Sequence, residues 1–228
     1  MKIAVLGTGV VGKVIAAKLS SLGHDVVVGT RDPAATIARS EPGPYGDPPF
    51  AAWLGQNPGV RVDTFAAAAA HAEMVVNATS GRGALEALAL AGAERLDGKV
   101  LVDISNPLDF SKGMPPTLSV CNDDSLGEQI QRAFPGARVV KTLNTVNAWI
   151  MVDPRSLASG DHTMFVCGND AGAKAQVVSL LREGFGWSDV LDLGDISNAR
   201  GTEMLLPLWV RIYGATQNPM FSIKVVRG

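Results

Sequence analysis

The chain has 228 residues, 46% hydrophobic and 18% charged, with 20 Lys and Arg against 22 Asp and Glu for a net charge of −2. That length holds one well-buried domain with at most a small extension, and the missing basic excess argues against nucleic acid as a partner. The two cysteines, Cys121 and Cys167, lie far apart without His or Cys neighbours at metal-ligand spacing, so they read as structural thiols in a reducing compartment, with no metal site.

Met1 to Leu6 opens with an apolar run that stops at Gly7, too short for a secretory leader, and reads as a first strand. Nothing approaches the roughly 18 uninterrupted apolar residues of a membrane span, because "MLLPLWVRIYG" is broken by Pro207 and Arg211. A cytoplasmic protein without a membrane partner is expected. Strands are predicted at 2–6, 25–29, 60–64, 73–78, 99–104, 138–143, 162–167 and 189–193, alternating with helical periodicity. Such alternation predicts an α/β fold: a doubly wound, mostly parallel sheet with helices on both faces. Between the first two strands, Val11, Val14, Ile15, Leu19 and Leu22 recur at helical spacing, and Gly23 supplies the stop.

Residues 41–59, with five prolines and four glycines around a short helix at Phe50 to Leu54, read as a surface insertion able to shape a lid. The irregular stretch 106–124 follows the strand "VLVDIS", where ligand-binding loops gather in parallel sheets. Ser125 and Glu128 have capping-box spacing, so Asp123, Asp124 and Glu128 are expected to start a helix rather than hold a metal. The last helix, about 199–213, is apolar nearly all round, which predicts burial between layers or between subunits. The chain is thus expected to be one domain over 1–228, with 199–228 as its C-terminal helix and tail.

Within "KIAVLGTGVVGKVI", Gly7, Gly9 and Gly12 stand in G-x-G-x-x-G register after a strand and before a helix. The first glycine permits the turn, the second lets backbone approach a pyrophosphate, and the third lets helix pack on strand. The N–H groups near Val10 and Val11 would face that anion. The fold implied is a Rossmann-type dinucleotide-binding domain. About 20 residues on, an acid would select NAD; here Gly29 and Thr30 are followed by Arg31, which favours NADP(H) through charge-assisted bonds to a 2′-phosphate. Asp32-Pro33 also reads as an N-cap and first-turn proline, which would leave Arg31 a solvated surface residue.

The blocks "GTGVVGKVIAAKLSSLGHDVVVGTR", "ARVVKTLNTVNA" with "FVCGNDAGAKAQVVSLL", and "DVLDLGDISNARGTEMLLPLWVRI" cover most of the chain. In them the sequence resembles the coenzyme F420-dependent NADP reductase family, whose fold is shared by the cytosolic domain of six-transmembrane metalloreductases. The resemblance implies hydride transfer between nicotinamide C4 and deazaflavin C5. It implies that Thr8, Gly9, Val10 and Val11 meet the pyrophosphate, Thr30 and Arg31 the 2′-phosphate, and Ala78, Thr79, Asn106 and Pro107 the nicotinamide. Asn144, Thr145, Ser197, Asn198 and Arg200 would line the deazaflavin pocket. The sequence departs from that family in "NATSGRG" and in "NTVNA", where "HTIPA" is frequent, and both changes predict a more polar pocket. Ala35 replaces a basic residue, leaving Arg39 as a distant substitute.

Hydride transfer needs aligned rings and no nucleophile, so a missing triad is no objection. His24, His71 and His162 are isolated and read as surface or hydrogen-bonded residues. For Lys141 and Asp103, an ion pair and acid-base work remain equally open. Ser197 or Asn198 also suits an N-cap, and Trp149, Trp187 and Trp209 suit packing. The expected function is an NADP(H)-dependent oxidoreductase exchanging hydride with a deazaflavin, working as a homodimer through its C-terminal helix. The alternatives are a reductase of a flavin, imine or small carbonyl compound, and a non-catalytic NADP(H) sensor.

Overall fold

The computed structural model describes residues 1–43 and 46–228. In chain order the elements are β1 (Lys2–Leu6), α1 (Val10–Ser21), β2 (Asp25–Thr30), α2 (Pro33–Ile37), α3 (Phe50–Gln56), β3 (Val60–Thr64), α4 (Phe65–His71) and β4 (Met74–Asn77). There follow α5 (Ala84–Ala91), α6 (Ala93–Leu96), β5 (Val100–Asp103), a small ribbon of β6 (Leu108–Asp109) and β7 (Thr117–Leu118), then α7 (Leu126–Ala133) and β8 (Arg138–Thr142). The chain ends with α8 (Ala148–Val152), β9 (Thr163–Cys167), α9 (Ala171–Ser179), β10 (Asp189–Asp192) and α10 (Ala199–Thr216).

Eight strands form one sheet in the order β10-β9-β8-β5-β4-β1-β2-β3, at the predicted places within a residue or two at each end. Every pairing is parallel except β8 with β9, where Lys141 lies opposite Cys167. The link from β8 through α8 does not cross back over the sheet, so β9 starts at the end where β8 finishes. Residues of β1 alternate between faces: Ile3 and Val5 join Ile15, Leu19 and Val76 in one layer, while Ala4 and Leu6 join Phe65, Ala68 and Leu88 in the other. Two separate cores therefore sandwich the sheet, as the doubly wound reading requires. The order reverses between β1 and β4, and the crevice at their carboxyl ends is where such sheets bind ligands.

The later part of the proline- and glycine-rich insertion is anchored in the core. Phe50 and Trp53, 4% and 8% exposed, sit in the same core layer as Ile15 and Val60, with their rings 5.3 Å apart. The Lys13 ammonium, on α1, holds Asp47 and donates to the Pro48 carbonyl at 2.9 Å. Two aromatic anchors outweigh the loop-like composition around them, and Pro44 and Tyr45 of that stretch lie outside the described residues. The last helix packs against the domain along one side. Along α10 one stripe, Thr202, Glu203, Leu206 and Val210, is buried, whereas Met204 and Leu208 are 38% and 52% exposed.

Candidate functional site: two joined clefts at the sheet's carboxyl edge

The glycine loop sits at the crevice. Gly7 has φ +122, and a Cβ there would lie 2.5 Å from the Ala78 carbonyl oxygen, while one on Gly12 would lie 2.1 Å from that of Gly7. These two glycines are required by backbone packing. A Cβ on Gly9 would meet nothing within 4 Å, so Gly9 keeps open the space above the start of α1. The helix itself has no side-chain cap at Gly9, although Asp32, Thr64, Ser125, Asn147 and Asp170 cap theirs. Its first N–H groups, on Val10 and Val11, are left for an anion. The uncapped helix and open loop fit a dinucleotide pyrophosphate.

At the end of β2, Gly29 is a packing glycine, since a Cβ would lie 2.6 Å from Leu6 Cδ2. Thr30 is buried, its hydroxyl 2.8 Å from that of Thr36. The Arg31 side chain is 68% exposed and pairs with Glu86 at 2.9 Å. Asp32 caps α2, accepting from the Ala35 amide at 2.9 Å, so the capping reading of Asp32-Pro33 holds. The short helix then turns Arg39 back toward the loop, where it donates to the hydroxyls of Thr36 at 2.8 Å and Thr8 at 3.5 Å. Arg39 is thus not distant. Two guanidinium groups, on Arg31 and Arg39, flank the loop and the end of β2.

A cleft of about 490 Å³ lies between the β4 and β5 ends, lined by Val11, Ala78, Thr79, Asn106 and their neighbours. Thr79 donates to Asn77 Oδ1 at 2.6 Å, which orients its loop. A second cleft of about 550 Å³ continues from it, sharing Val11, Ile104, Asn106, Leu108 and Phe110. Its farther walls are Met114, Trp149, Met151, Leu206, Trp209, Val210, Tyr213 and Pro219. Leu143, at φ +63, turns the chain out of β8 so that Asn144 faces Asn106. The two amides bond reciprocally: Asn144 Nδ2 donates to Asn106 Oδ1 at 2.9 Å, and Asn106 Nδ2 to the Asn144 carbonyl at 3.0 Å. Pro107 is buried and its carbonyl accepts from the Ser119 amide at 2.8 Å, closing the base of the β6–β7 ribbon.

The sequence-predicted residues divide. Val10, Val11, Ala78, Thr79, Asn106 and Asn144 gather around the two clefts; Gly9 and the buried Thr145 line neither. Ser197, Asn198 and Arg200 also line neither. Ser197 donates to Asp195 from its amide at 2.9 Å and its hydroxyl at 2.5 Å, so Asp195 is the cap there, and Asn198 makes no capping bond. Arg200 instead forms a two-bond pair with Glu128, at 2.8 and 2.6 Å, joining α10 to α7. Asn144 and Asn147 of "NTVNA" do line the second cleft, but their amides are engaged, Asn144 by Asn106 and Thr202, and Asn147 by the α8 amides and the tail. Sequence reasoning missed Phe110, Trp149, Trp209 and Tyr213 as lining residues. Trp209 and Tyr213, four apart on α10 with rings 5.8 Å apart, read as a packing pair.

Beneath both clefts lies a buried charged junction. Lys141 Nζ is 2.8 Å from Asp103 Oδ2, 2.7 Å from Glu203 Oε1 and 2.6 Å from the Ser105 carbonyl. Asp103 Oδ1 accepts from Asn77 and Ser105; the Glu203 carboxylate accepts from the Leu126 and Gly127 amides that open α7. Burial alone would lower the Lys141 pKa, but the two carboxylates outweigh it and hold the ammonium above its ordinary value. The ion-pair reading of Lys141 and Asp103 is therefore the one the geometry supports, with Glu203 as an unforeseen third member. Burial pushes the Cys167 thiol up to about 12. His162 is buried, 3.0 Å from the Pro154 carbonyl and edge-on to Trp187, whose indole is a core residue.

A crystal structure from Arthrobacter sp. FB24, named as a candidate F420-dependent NADP reductase, is 60% identical, with TM-score 0.96 and full coverage of both chains. The family described as NADP oxidoreductase, coenzyme F420-dependent, matches residues 2–107. The chain belongs to this family. The F420-dependent NADP reductase of Methanothermobacter marburgensis is 27% identical over 93% of this chain and 92% of its own. The metalloreductase STEAP3 of Rattus norvegicus is 29% identical over 91% of this chain. The match spans only 38% of that relative's length. Among the described residues no helix is long and apolar enough to cross a membrane, and no three His, Cys, Asp or Glu side chains group as a metal site.

Proposed function

We propose that the protein moves a hydride between NADP(H), held in the first cleft, and a deazaflavin of the coenzyme F420 type, held in the second. The observation that carries this reading is the junction of the clefts along Val11, Ile104, Asn106, Leu108 and Phe110, which lets two planar rings meet with no side chain required between them. Val10 and Val11 amides would hold the pyrophosphate, and Arg31 and Arg39 the 2′-phosphate. Bound NADPH supplies the hydride. The chain's part is to align the partners and exclude water with the Trp149, Leu206 and Trp209 walls.

The second cleft is walled mostly by aromatic and aliphatic side chains, which supports a flat ring system as acceptor over a small imine or carbonyl compound. Any of these acceptors also takes up a proton, and among the described lining residues Tyr213 is the one with an ionisable side chain. The test is to mix the protein with NADPH and, in turn, oxidised F420, riboflavin phosphate and a cyclic imine, following the reduced-nicotinamide absorbance. Rapid oxidation with F420 alone supports the reading. Faster turnover with flavin or imine overturns the acceptor, and inertness toward all three points to a sensor.

A further inference from the structure

The chain beyond α10 has no part in the reading so far, yet it borders the second cleft. Gln217, at φ +53, ends α10 in the left-handed region and the chain doubles back. Pro219 lines the cleft and the Phe221 ring stacks on Trp209 at 5.0 Å. Farther on, the Thr163 amide at the start of β9 donates to the Ile223 carbonyl at 2.9 Å, the Val225 amide to Thr163 Oγ1 at 3.0 Å, and Lys224 pairs with Asp161 at 2.6 Å. The far end of the tail is thus tied to the sheet.

At the near end, besides the Phe221 stack and Met220 packing on the core, a hydrogen-bonding side chain ties the tail to another element. Asn147 Nδ2 donates to the Pro219 carbonyl at 2.5 Å and reaches Met220 Sδ at 3.4 Å. Its Oδ1 meanwhile caps α8, accepting from the Trp149 and Ile150 amides at 3.0 and 3.1 Å. Those two jobs need an acceptor and a donor on the same short side chain, which an amide has. Ser, Thr and Asp cap a helix equally well, but Asp has no proton to give, and a hydroxyl is shorter by one atom.

We propose that Asn147 is a positioning residue: it hooks the tail onto the head of α8 and so sets the outer wall of the acceptor cleft. The statement about the acceptor rests on the second cleft being its site. With the hook released, Pro219 and Phe221 no longer hold Trp209 in place, and the acceptor loses a wall while the glycine-loop cleft is untouched.

Two full-length variants, Asn147→Ser and Asn147→Asp, keep the cap oxygen and remove the donor. Expected is a rise in KM for F420 of about two- to tenfold, the scale of one net hydrogen bond, with kcat and the KM for NADPH within about twofold. Asn147→Asp should be the worse, because its carboxylate faces the Pro219 carbonyl. Hydrogen exchange of the peptide covering 219–226 should quicken in both. In a full-length Phe221→Ala background, already raised in acceptor KM because the tail no longer stacks on Trp209, Asn147→Ser should add nothing. Unchanged exchange of that peptide, or an equal KM rise in the Phe221→Ala background, would overturn the hook and leave only helix capping. If the wild-type protein does not oxidise NADPH with F420, the acceptor reading fails, while the exchange measurement still decides the hook.

Discussion

Replacing Lys141 with Met, similar in length and uncharged, tests whether the junction beneath the clefts is electrostatic. Among the described residues, the hydrogen-bond partners of Asp103 and Glu203 apart from Lys141 are neutral donors, so the two side chains share one cation. All three side chains are at most 1% exposed, so water cannot replace the ammonium. Removing one partner of a buried ion pair costs about 3–5 kcal/mol, because the remaining charge stays desolvated. At about 2–4 °C per kcal/mol for a domain of this size, Lys141→Met should melt about 6–20 °C lower by circular dichroism. Lys141→Met combined with Asp103→Asn and Glu203→Gln should regain at least half of that loss. The pKa of Lys141 is raised, so its stabilisation is complete below its ordinary value and is lost only as pH climbs through the higher folded value. The loss in Lys141→Met should therefore be the same at pH 6 and pH 8. A melting shift under about 2 °C, or a triple variant no better than the single one, would refute the electrostatic account.

Arg31→Ala and Arg39→Ala should each weaken NADPH binding by about 10- to 150-fold, the worth of charge-assisted bonds, while changing NADH by no more than about twofold, as read by fluorescence titration. Equal losses for both dinucleotides would remove these residues from the 2′-phosphate. Acid should loosen the joint between α7 and α10. The hydrogen bond from Arg200 holds Glu128 below its usual value, and that from Arg132 holds Asp124 at about 2. Depressed values mean stability present at neutral pH and lost as pH falls from the ordinary carboxylate range toward those values. Melting temperature against pH should therefore be flatter between about pH 5 and pH 2 in Arg200→Gln than in wild type; parallel curves would contradict the assignment.

Legibility in the sequence followed the range of the interaction concerned. The eight strands and the glycine loop were readable because apolar alternation and G-x-G-x-x-G spacing are local. Asp32 and Ser125 were readable as caps for the same reason, since each acts within three residues, whereas the Glu128 carboxylate takes the Ser125 hydroxyl and the distant Arg200 instead of a backbone amide. The insertion misled because its composition is that of a loop while its fate was decided by Phe50 and Trp53 reaching the α1 layer. Arg39 appeared remote in sequence, and the turn of α2 brought it to Thr8, 31 residues away.

Chain-order chemistry by itself determined the doubly wound sheet, an uncapped helix start behind an open Gly9, and a base in place of an acid after β2. Those features are set by backbone sterics and by neighbours within a few residues. Only the tertiary structure decided that β8 and β9 run antiparallel, that Arg200 serves Glu128 instead of a cleft, and that Trp149, Trp209, Tyr213 and Pro219 wall the second cleft. Asn147 and Pro219 are 72 residues apart, and no periodicity encodes their meeting. It follows from packing α8 and α10 on the sheet, where burial of apolar surface, blind to sequence separation, selects the contacts.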